Sequence, residues 1–191
     1  MSATWLTADL HLGHKLVAEM RGFRDPQEHD DFIVAKWRKV IQPDDDVWVL
    51  GDISGGGSAA QLGALATLLP LPGRKILVAG NHDGVHPMHG RAMLRWAPFY
   101  ADIFEHVCSA AQLRVEGHRI RLSHFPRVAD HTQEIRYANW RPPIYPEWLV
   151  HGHTHSLEVR TSLNEIHVGW DAWRRPVNLG EIGAIIRSTT L

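Results

Sequence analysis

The stretch WLVHGHTHSL, Trp148 to Leu157, runs three apolar residues into histidines at alternate positions, His151, His153 and His155. An extended chain alternates its side chains, so residues two apart share a face. Imidazoles converging from one strand suit a transition metal. Two or three histidines do not complete a site, so other parts of the chain must supply ligands. Four further apolar runs end the same way. They are WLTADLH (5–11), VWVLGD (47–52), ILVAGNHD (76–83) and RIRLSH (119–124). In open α/β sheets, ligands bind beyond the carboxyl ends of strands. The groups gathered at these ends are Asp9, His11, Asp52, Asn81, His82, Asp83, His124, His153 and His155. This mixed nitrogen and oxygen set, without thiols, suits divalent ions such as Mn²⁺, Fe²⁺, Co²⁺, Zn²⁺ or Ni²⁺. It is too large for one tetrahedral site and about right for two ions.

The rest of the chain supports an α/β layered fold. ATWLTAD, DVWVLGD and RKILVAGNHD read as strands, with weak alternation that suggests burial on both faces. Asp25-Pro26-Gln27-Glu28 carries helix-start signals: an N-cap, a first-turn proline and a third-position glutamate. Phe32, Ile33, Trp37, Val40 and Ile41 then mark one helical face. Ser58 is expected to cap a helix bearing Leu62, Leu65, Leu68 and Leu69 and closed by Pro70. QLRVEGHRIRLSH reads as a hairpin turning at Gly117. EWLVHGH, EIHVGWD and EIGAIIR are expected as further strands. No repeat or linker divides the chain, so one domain over 1–191 is expected.

Composition narrows the function. The chain has 191 residues, 44% hydrophobic and 21% charged, and its net charge is −1 with histidines neutral. Such a balance gives no general pull toward long nucleic acid or a membrane surface. Cys108 is the only cysteine, so neither an intrachain disulfide nor a thiolate zinc site is available. There is no apolar run of about 18 residues and no secretory leader pattern, which makes a cytoplasmic protein the expectation. Of the 14 histidines, His29, His86, His89, His106, His118 and His131 have no visible ligand context.

DLH at 9–11, GD at 51–52, GNHD at 80–83, SH at 123–124 and GHTH at 152–155 follow the order of the five motifs of the calcineurin-like metallophosphoesterases. The chain resembles that superfamily from end to end, in particular its small single-domain bacterial and phage members. The resemblance implies a four-layer αββα sandwich: two mainly mixed sheets flanked by helices, with a dinuclear metal site at the strand C-terminal ends. It implies that Asp9, His11 and His155 hold the first ion. Asn81, His124 and His153 would hold the second, with Asp52 bridging. His82 would assist the leaving oxygen, Asp83 would orient His82, and a metal-bridging hydroxide would attack phosphorus. Two divalent ions are expected, Mn²⁺ first among them.

Other residues keep two readings. His14 reaches either the substrate or solvent, and His151 is read as buried and hydrogen-bonded at the strand end. His167 and Asp171 either close the back of the site or are structural. Arg21, Arg24, Arg127, Arg136 and Arg141 match phosphate geometry, but each reads first as solvated surface charge. Tyr137 and Trp140, in a Pro-rich segment, offer rings on which a base would stack.

The expected activity is a phosphodiesterase acting on small phosphodiesters, 2′,3′-cyclic nucleotides included. A phosphomonoesterase or a nuclease on the same site is the alternative. The expected partner is a small phosphodiester or nucleotide, with no membrane or long nucleic acid, and homo-oligomerisation is left open. A purple acid phosphatase is disfavoured, because those enzymes need a tyrosine where Gly55 stands. A non-catalytic scaffold is disfavoured because all seven presumed ligands and His82 are present.

Overall fold

The apolar runs become strands of two five-stranded sheets in a computed structural model that describes residues 2–130, 132 and 134–189. In chain order the elements are β1 (Thr4–Thr7), α1 (Lys15–Met20), α2 (Pro26–Val40), β2 (Asp46–Val49), α3 (Ser58–Leu68) and β3 (Arg74–Val78). Then come α4 (Arg91–Ala101), β4 (His106–Cys108), β5 (Ala111–Val115), β6 (His118–Leu122) and β7 (Trp148–His151). The chain closes with β8 (Arg160–Ser162), β9 (Glu165–His167), α5 (Trp170–Trp173), β10 (Val177–Asn178) and α6 (Leu179–Thr189).

The first sheet has the order β10-β1-β2-β3-β4, with β1 to β4 parallel and β10 antiparallel on the edge. The second has the order β5-β6-β7-β9-β8, parallel at its centre and antiparallel at both ends. Both sheets are therefore mixed and flanked by helices, as expected for this fold class. Alternate residues of the first sheet feed two cores. Val47, Val49 and Leu77 face Ile33, Trp37 and Ile41 of the α2 side and Leu65 and Leu68 of α3. Leu6, Leu50 and Val78 face Ile120, Leu122, Trp148 and Val150 of the second sheet, with Ile182 and Ile186 of α6. This double burial is why the three runs read as nearly continuous apolar strands.

The helix-start signals at Asp25 hold. Its carboxylate accepts the Glu28 N–H at 2.9 Å, and Pro26 occupies the first turn. Glu28 reaches past the cap to the N–H of Arg24. Trp37 is fully buried and donates its indole N–H to Pro72 O at 2.9 Å. Truncating such a side chain typically costs about 3–5 kcal/mol. The expected hairpin turns at Glu116-Gly117, both at positive φ, as a two-residue mirror-image turn requires.

Two expectations fail, the Ser58 cap and the EIGAIIR strand. Ser58 opens α3 rather than capping it; Gly57 takes the cap position at φ 76° with no side-chain bond. Leu62 and Leu69 are exposed, so only Leu65 and Leu68 of the four leucines enter the core. EIGAIIR is not a strand but the body of α6. Asn178 Oδ1 accepts the Gly180 N–H, while Glu181 Oε2 accepts the N–H of Asn178, a reciprocal cap that starts a helix. Ile182 and Ile186, one turn apart, then face the inter-sheet core.

The outer face of the second sheet carries Arg121, Leu149 and Glu165 in register. Arg127 and Glu147, near the two ends of the segment 125–147, lie against it. Arg127 donates to Glu147 O at 2.8 Å and pairs with Glu165 at 3.4 Å, and Arg121 pairs with Glu147 at 2.7 Å. No described helix is long and apolar enough to cross a membrane.

Candidate metal centre

The C-terminal ends of β1, β2 and β3 meet those of β6 and β7 where the two sheets face each other. The chain leaves these strands in tight, unusual turns. Asp9, His11, Asp52, His153 and His155 all have φ between 48° and 70°, a left-handed region that non-glycine residues rarely visit. Such backbone costs of order 1–3 kcal/mol per residue, persists where the surroundings enforce it, and clusters at functional sites. Here Asp9 N donates to Gly51 O and His11 N to Asp52 O, both at 3.0 Å. The crossing is possible because Gly80 and Gly152 lack side chains. A Cβ on Gly80 would lie 2.3 Å from Asp52 Oδ1, and one on Gly152 would lie 2.8 Å from Asp9 Oδ2.

These turns gather two sets of side chains. Asp9, His11 and His155 form one, and Asp52, His124 and His153 the other. Within the first, His11 Nε2 and His155 Nε2 are 3.1 Å apart. Within the second, His124 Nε2 is 3.2 Å from His153 Nδ1, 3.1 Å from Asn81 Oδ1 and 3.4 Å from Asp52 Oδ2. The same Asp52 oxygen lies 4.0 Å from His11 Nε2, between the two sets. The strand does not continue past His151, so His153 and His155 diverge to different sets. His151 stays buried, against Gly152 O and Thr161 Oγ1.

The second set fits a cation on its own chemistry. His124 Nδ1 lies 2.8 Å from Leu50 O and must carry the proton, which leaves Nε2 a lone pair. His153 Nε2 faces a carboxylate oxygen of Asp130 at 3.3 Å, which favours the proton on that nitrogen and leaves Nδ1 the lone pair. Two imidazole lone pairs, the Asn81 carbonyl and the Asp52 carboxylate thus converge with no donor among them. Burial, then His124, pushes the pKa of His153 down to about 3, which keeps the imidazole neutral. Burial and the neighbouring charges of Asp83 and Asp9 raise Asp52 well above the usual carboxylate range. A positive charge between them would stabilise the Asp52 carboxylate and accept the lone pairs of the neutral imidazoles.

The first set is oriented from behind. His155 Nδ1 meets Asp171 Oδ2 at 3.0 Å, leaving Nε2 to face inward. Arg21 grips both Asp171 oxygens, at 2.9 and 2.8 Å, and gives its remaining donors to Asp9 O, Leu10 O and His29. Burial alone would raise Asp171, but His155 and Arg21 hold it below its ordinary value. His167 Nε2 lies 3.6 Å from Asp9 Oδ2 and closes the back of the site.

His82 stands at the mouth. Its side chain is 39% exposed, and its Nε2 lies 4.0 Å from Asp52 Oδ2. Asp83, expected to orient His82, turns its carboxylate elsewhere. It accepts backbone N–H groups from Gly80, Asp52 and Ile53 at 2.7, 2.9 and 3.2 Å. It fixes the backbone that carries Asp52, and Asp52 Oδ1 in turn accepts the His82 N–H at 2.9 Å. His14 caps α1 through Val17 N and lines the cavity over the site. Tyr137 packs on Phe125 and His153, and Trp140 on His86. His131 lies outside the described residues.

The five arginines singled out from the sequence all pair with carboxylates: Arg21 with Asp171, Arg24 with Glu28, Arg127 with Glu165, and Arg136 and Arg141 with Asp130. Asp130 itself escaped the sequence reading. It lies outside all five motifs, and only the two arginines that follow it hinted at a buried charge. A cavity of about 470 Å³ opens over the two side-chain sets. His11, His14, Asp52, His82, His153 and His155 form its polar side, and Leu16, Val17, Met20 and Leu157 an apolar wall.

Comparison with known proteins agrees with this geometry. Residues 6–189 match the calcineurin-like phosphoesterase superfamily domain. The gene 66 protein of Mycobacterium phage L5 is 46% identical over 193 residues, covering 95% of this chain and 93% of its own length. The gene 66 protein of Mycobacterium phage D29 is 44% identical over 194 residues, with 97% and 96% covered. The crystal structure of AQ665, a protein of unknown function from Aquifex aeolicus, superposes with a TM-score of 0.70 at 22% identity. That match covers 97% of this chain and all of that one, and it speaks to the fold alone.

Proposed function

The chain belongs to the calcineurin-like phosphoesterase superfamily of metal-dependent phosphoester hydrolases, and within it we propose a phosphodiesterase acting on small phosphodiesters, 2′,3′-cyclic nucleotides among them. One observation carries the preference for diesters. Among the described residues lining the cavity there is no lysine or arginine, and one wall is apolar. A phosphodiester carries a single charge at phosphorus, which bound cations neutralise unaided. A monoester's second charge calls for further cationic contacts, and the nearby arginines are committed to carboxylates. The ester group that a diester adds matches the wall of Leu16, Val17, Met20 and Leu157.

Asp9, His11 and His155 would hold one divalent ion and Asn81, His124 and His153 the other, with Asp52 shared; Mn²⁺ is the first choice. Such ions polarise phosphoryl oxygens and lower the pKa of water toward neutrality. The chain's own task is to position and to move a proton. His82, exposed toward the cavity beside Asp52, is suited to give a proton to the departing ester oxygen. Asp83 holds the turn that presents it.

The test is a side-by-side assay with Mn²⁺ of an aryl phosphate monoester, a bis-aryl phosphodiester, and 2′,3′- and 3′,5′-cyclic nucleotides. The expected result is a higher kcat/KM for a diester. A clearly higher value for the monoester than for every diester would overturn the reading.

A further inference from the structure

We propose that Asp130 is a positioning residue for the second metal position, acting through His153. The inference rests on the metal-binding reading but not on the choice of substrate. Asp130 belongs to the segment 125–147, which none of the five motifs touches. Its side chain is fully buried. One oxygen, Oδ2, lies 3.3 Å from His153 Nε2, the nitrogen on the far side of the ring from His124.

The carboxylate is itself held from three directions. Arg136 gives its backbone N–H at 3.1 Å and its guanidinium at 3.2 Å, and Arg141 gives its guanidinium at 2.7 Å. Arg141 spends its other donors on the carbonyls of Pro126, Ala129 and Arg136. Arg136 and Arg141 are thus tied around one carboxylate that also faces an imidazole. A carboxylate against the outer nitrogen of a metal-bound histidine fixes its tautomer and ring orientation and raises its basicity. Asp171 stands in the same relation to His155 at 3.0 Å. Two imidazoles that arrive on one short run, two residues apart, are therefore each backed by a carboxylate tied to arginine.

A purely structural Asp130 would serve only as counter-charge for Arg136 and Arg141. Its loss would then loosen the segment without singling out one metal position. Removing an outer partner of a metal ligand typically weakens binding about 10–100-fold.

The deciding measurement is Mn²⁺ binding by the full chain, followed by calorimetry and by electron paramagnetic resonance without substrate. His11→Ala leaves the second set of ligands intact, and His124→Ala leaves the first. Added to the His11→Ala chain, Asp130→Ala should weaken the remaining site about 10–100-fold. Added to His124→Ala, it should change affinity by no more than about twofold. Equal losses in both backgrounds, unchanged affinity in both, or uptake of only one ion by the wild type would each overturn the proposal. Should Asp130→Ala not fold, Asp130→Asn carries the test. It keeps an oxygen toward His153 but loses the charge, and should weaken only the second site, by several-fold. No loss in the His11→Ala background would then overturn it. A wild type that prefers monoesters would defeat the diesterase reading and leave this titration standing.

Discussion

The two halves of the candidate metal centre reach the same arrangement by different routes. Behind the first, Arg21 and Asp171 are 150 positions apart and meet only when the end of α1 packs against α5. Behind the second, Arg141 and Asp130 are 11 positions apart and belong to one segment. Both arginines divide their donors between a carboxylate and main-chain carbonyls. The first clasp is therefore a product of the whole fold, whereas the second can close as soon as its own loop forms, with little loop entropy to overcome. Elements of the second kind open locally at lower free energy than the core. The first half should report on global stability and the second on the local state of one segment.

The largest effect should come where the halves meet. Asp52→Asn removes the charge shared by both sets while preserving shape. Activity should fall about a thousandfold or more, the scale of several kcal/mol of charge stabilisation. Thermal stability without metal should hold or rise, because burial and the charges of Asp83 and Asp9 disfavour the ionised group. Near-wild-type turnover with both ions bound would show that the halves work independently, and kinetics with metal analysis decides it.

His82 belongs to neither half. His82→Ala should bind both ions normally yet hydrolyse diesters about a hundredfold more slowly or worse. The loss should shrink for substrates whose leaving group needs no proton. Loss of an ion from this variant would move His82 into one of the ligand sets.

The clasps themselves can be compared by stability. Arg21→Ala leaves Asp171 with His155 as its remaining partner and strips two carbonyls of their donor, and should cost about 3–5 kcal/mol. Arg141→Ala leaves Asp130 still bonded to Arg136 and should cost about 1–3 kcal/mol. Its effect should appear chiefly as faster amide exchange within 125–147. Equal losses in denaturant melts of the two variants would erase the distinction between a global and a local clasp.

What the sequence revealed divides along the same line. The turns that gather the two side-chain sets were legible because acids, imidazoles and glycines stand together at the strand ends. The two cores were legible because their strands alternate or run apolar. Asp83 was misassigned because a motif position says nothing about whether a carboxylate faces a ring or a backbone. Asp130 was invisible because a buried acid with two arginines 6 and 11 positions on looks like any charged loop. The partnership of Arg21 with Asp171 was hidden by distance along the chain. The last helix was lost for a different reason. EIGAIIR satisfies strand and helix patterns alike, and the cap that decides it begins three residues earlier, at Asn178.

That cap supplies the smallest test, and a control for all the others. Asn178 accepts from Gly180 and receives the reach of Glu181, which Arg175 also pairs at 2.7 Å. Asn178→Ala deletes the side-chain acceptor but not the backbone donor, so Glu181 keeps its bond. The cost should be about 1 kcal/mol, or a melting shift of about 2–4 °C in a chain of this size. Because α6 packs on the inter-sheet core through Ile182 and Ile186 and lines no part of the cavity, both ions should bind as in the wild type. A calorimetric melt and a Mn²⁺ titration of this variant measure the two quantities separately. If so mild a core perturbation weakened the first metal position selectively, the Arg21–Asp171 clasp would be coupled to the core more tightly than its contacts imply. Selective weakening of the second would mean that the 125–147 segment is no independent unit, and the contrast between the two halves would fail.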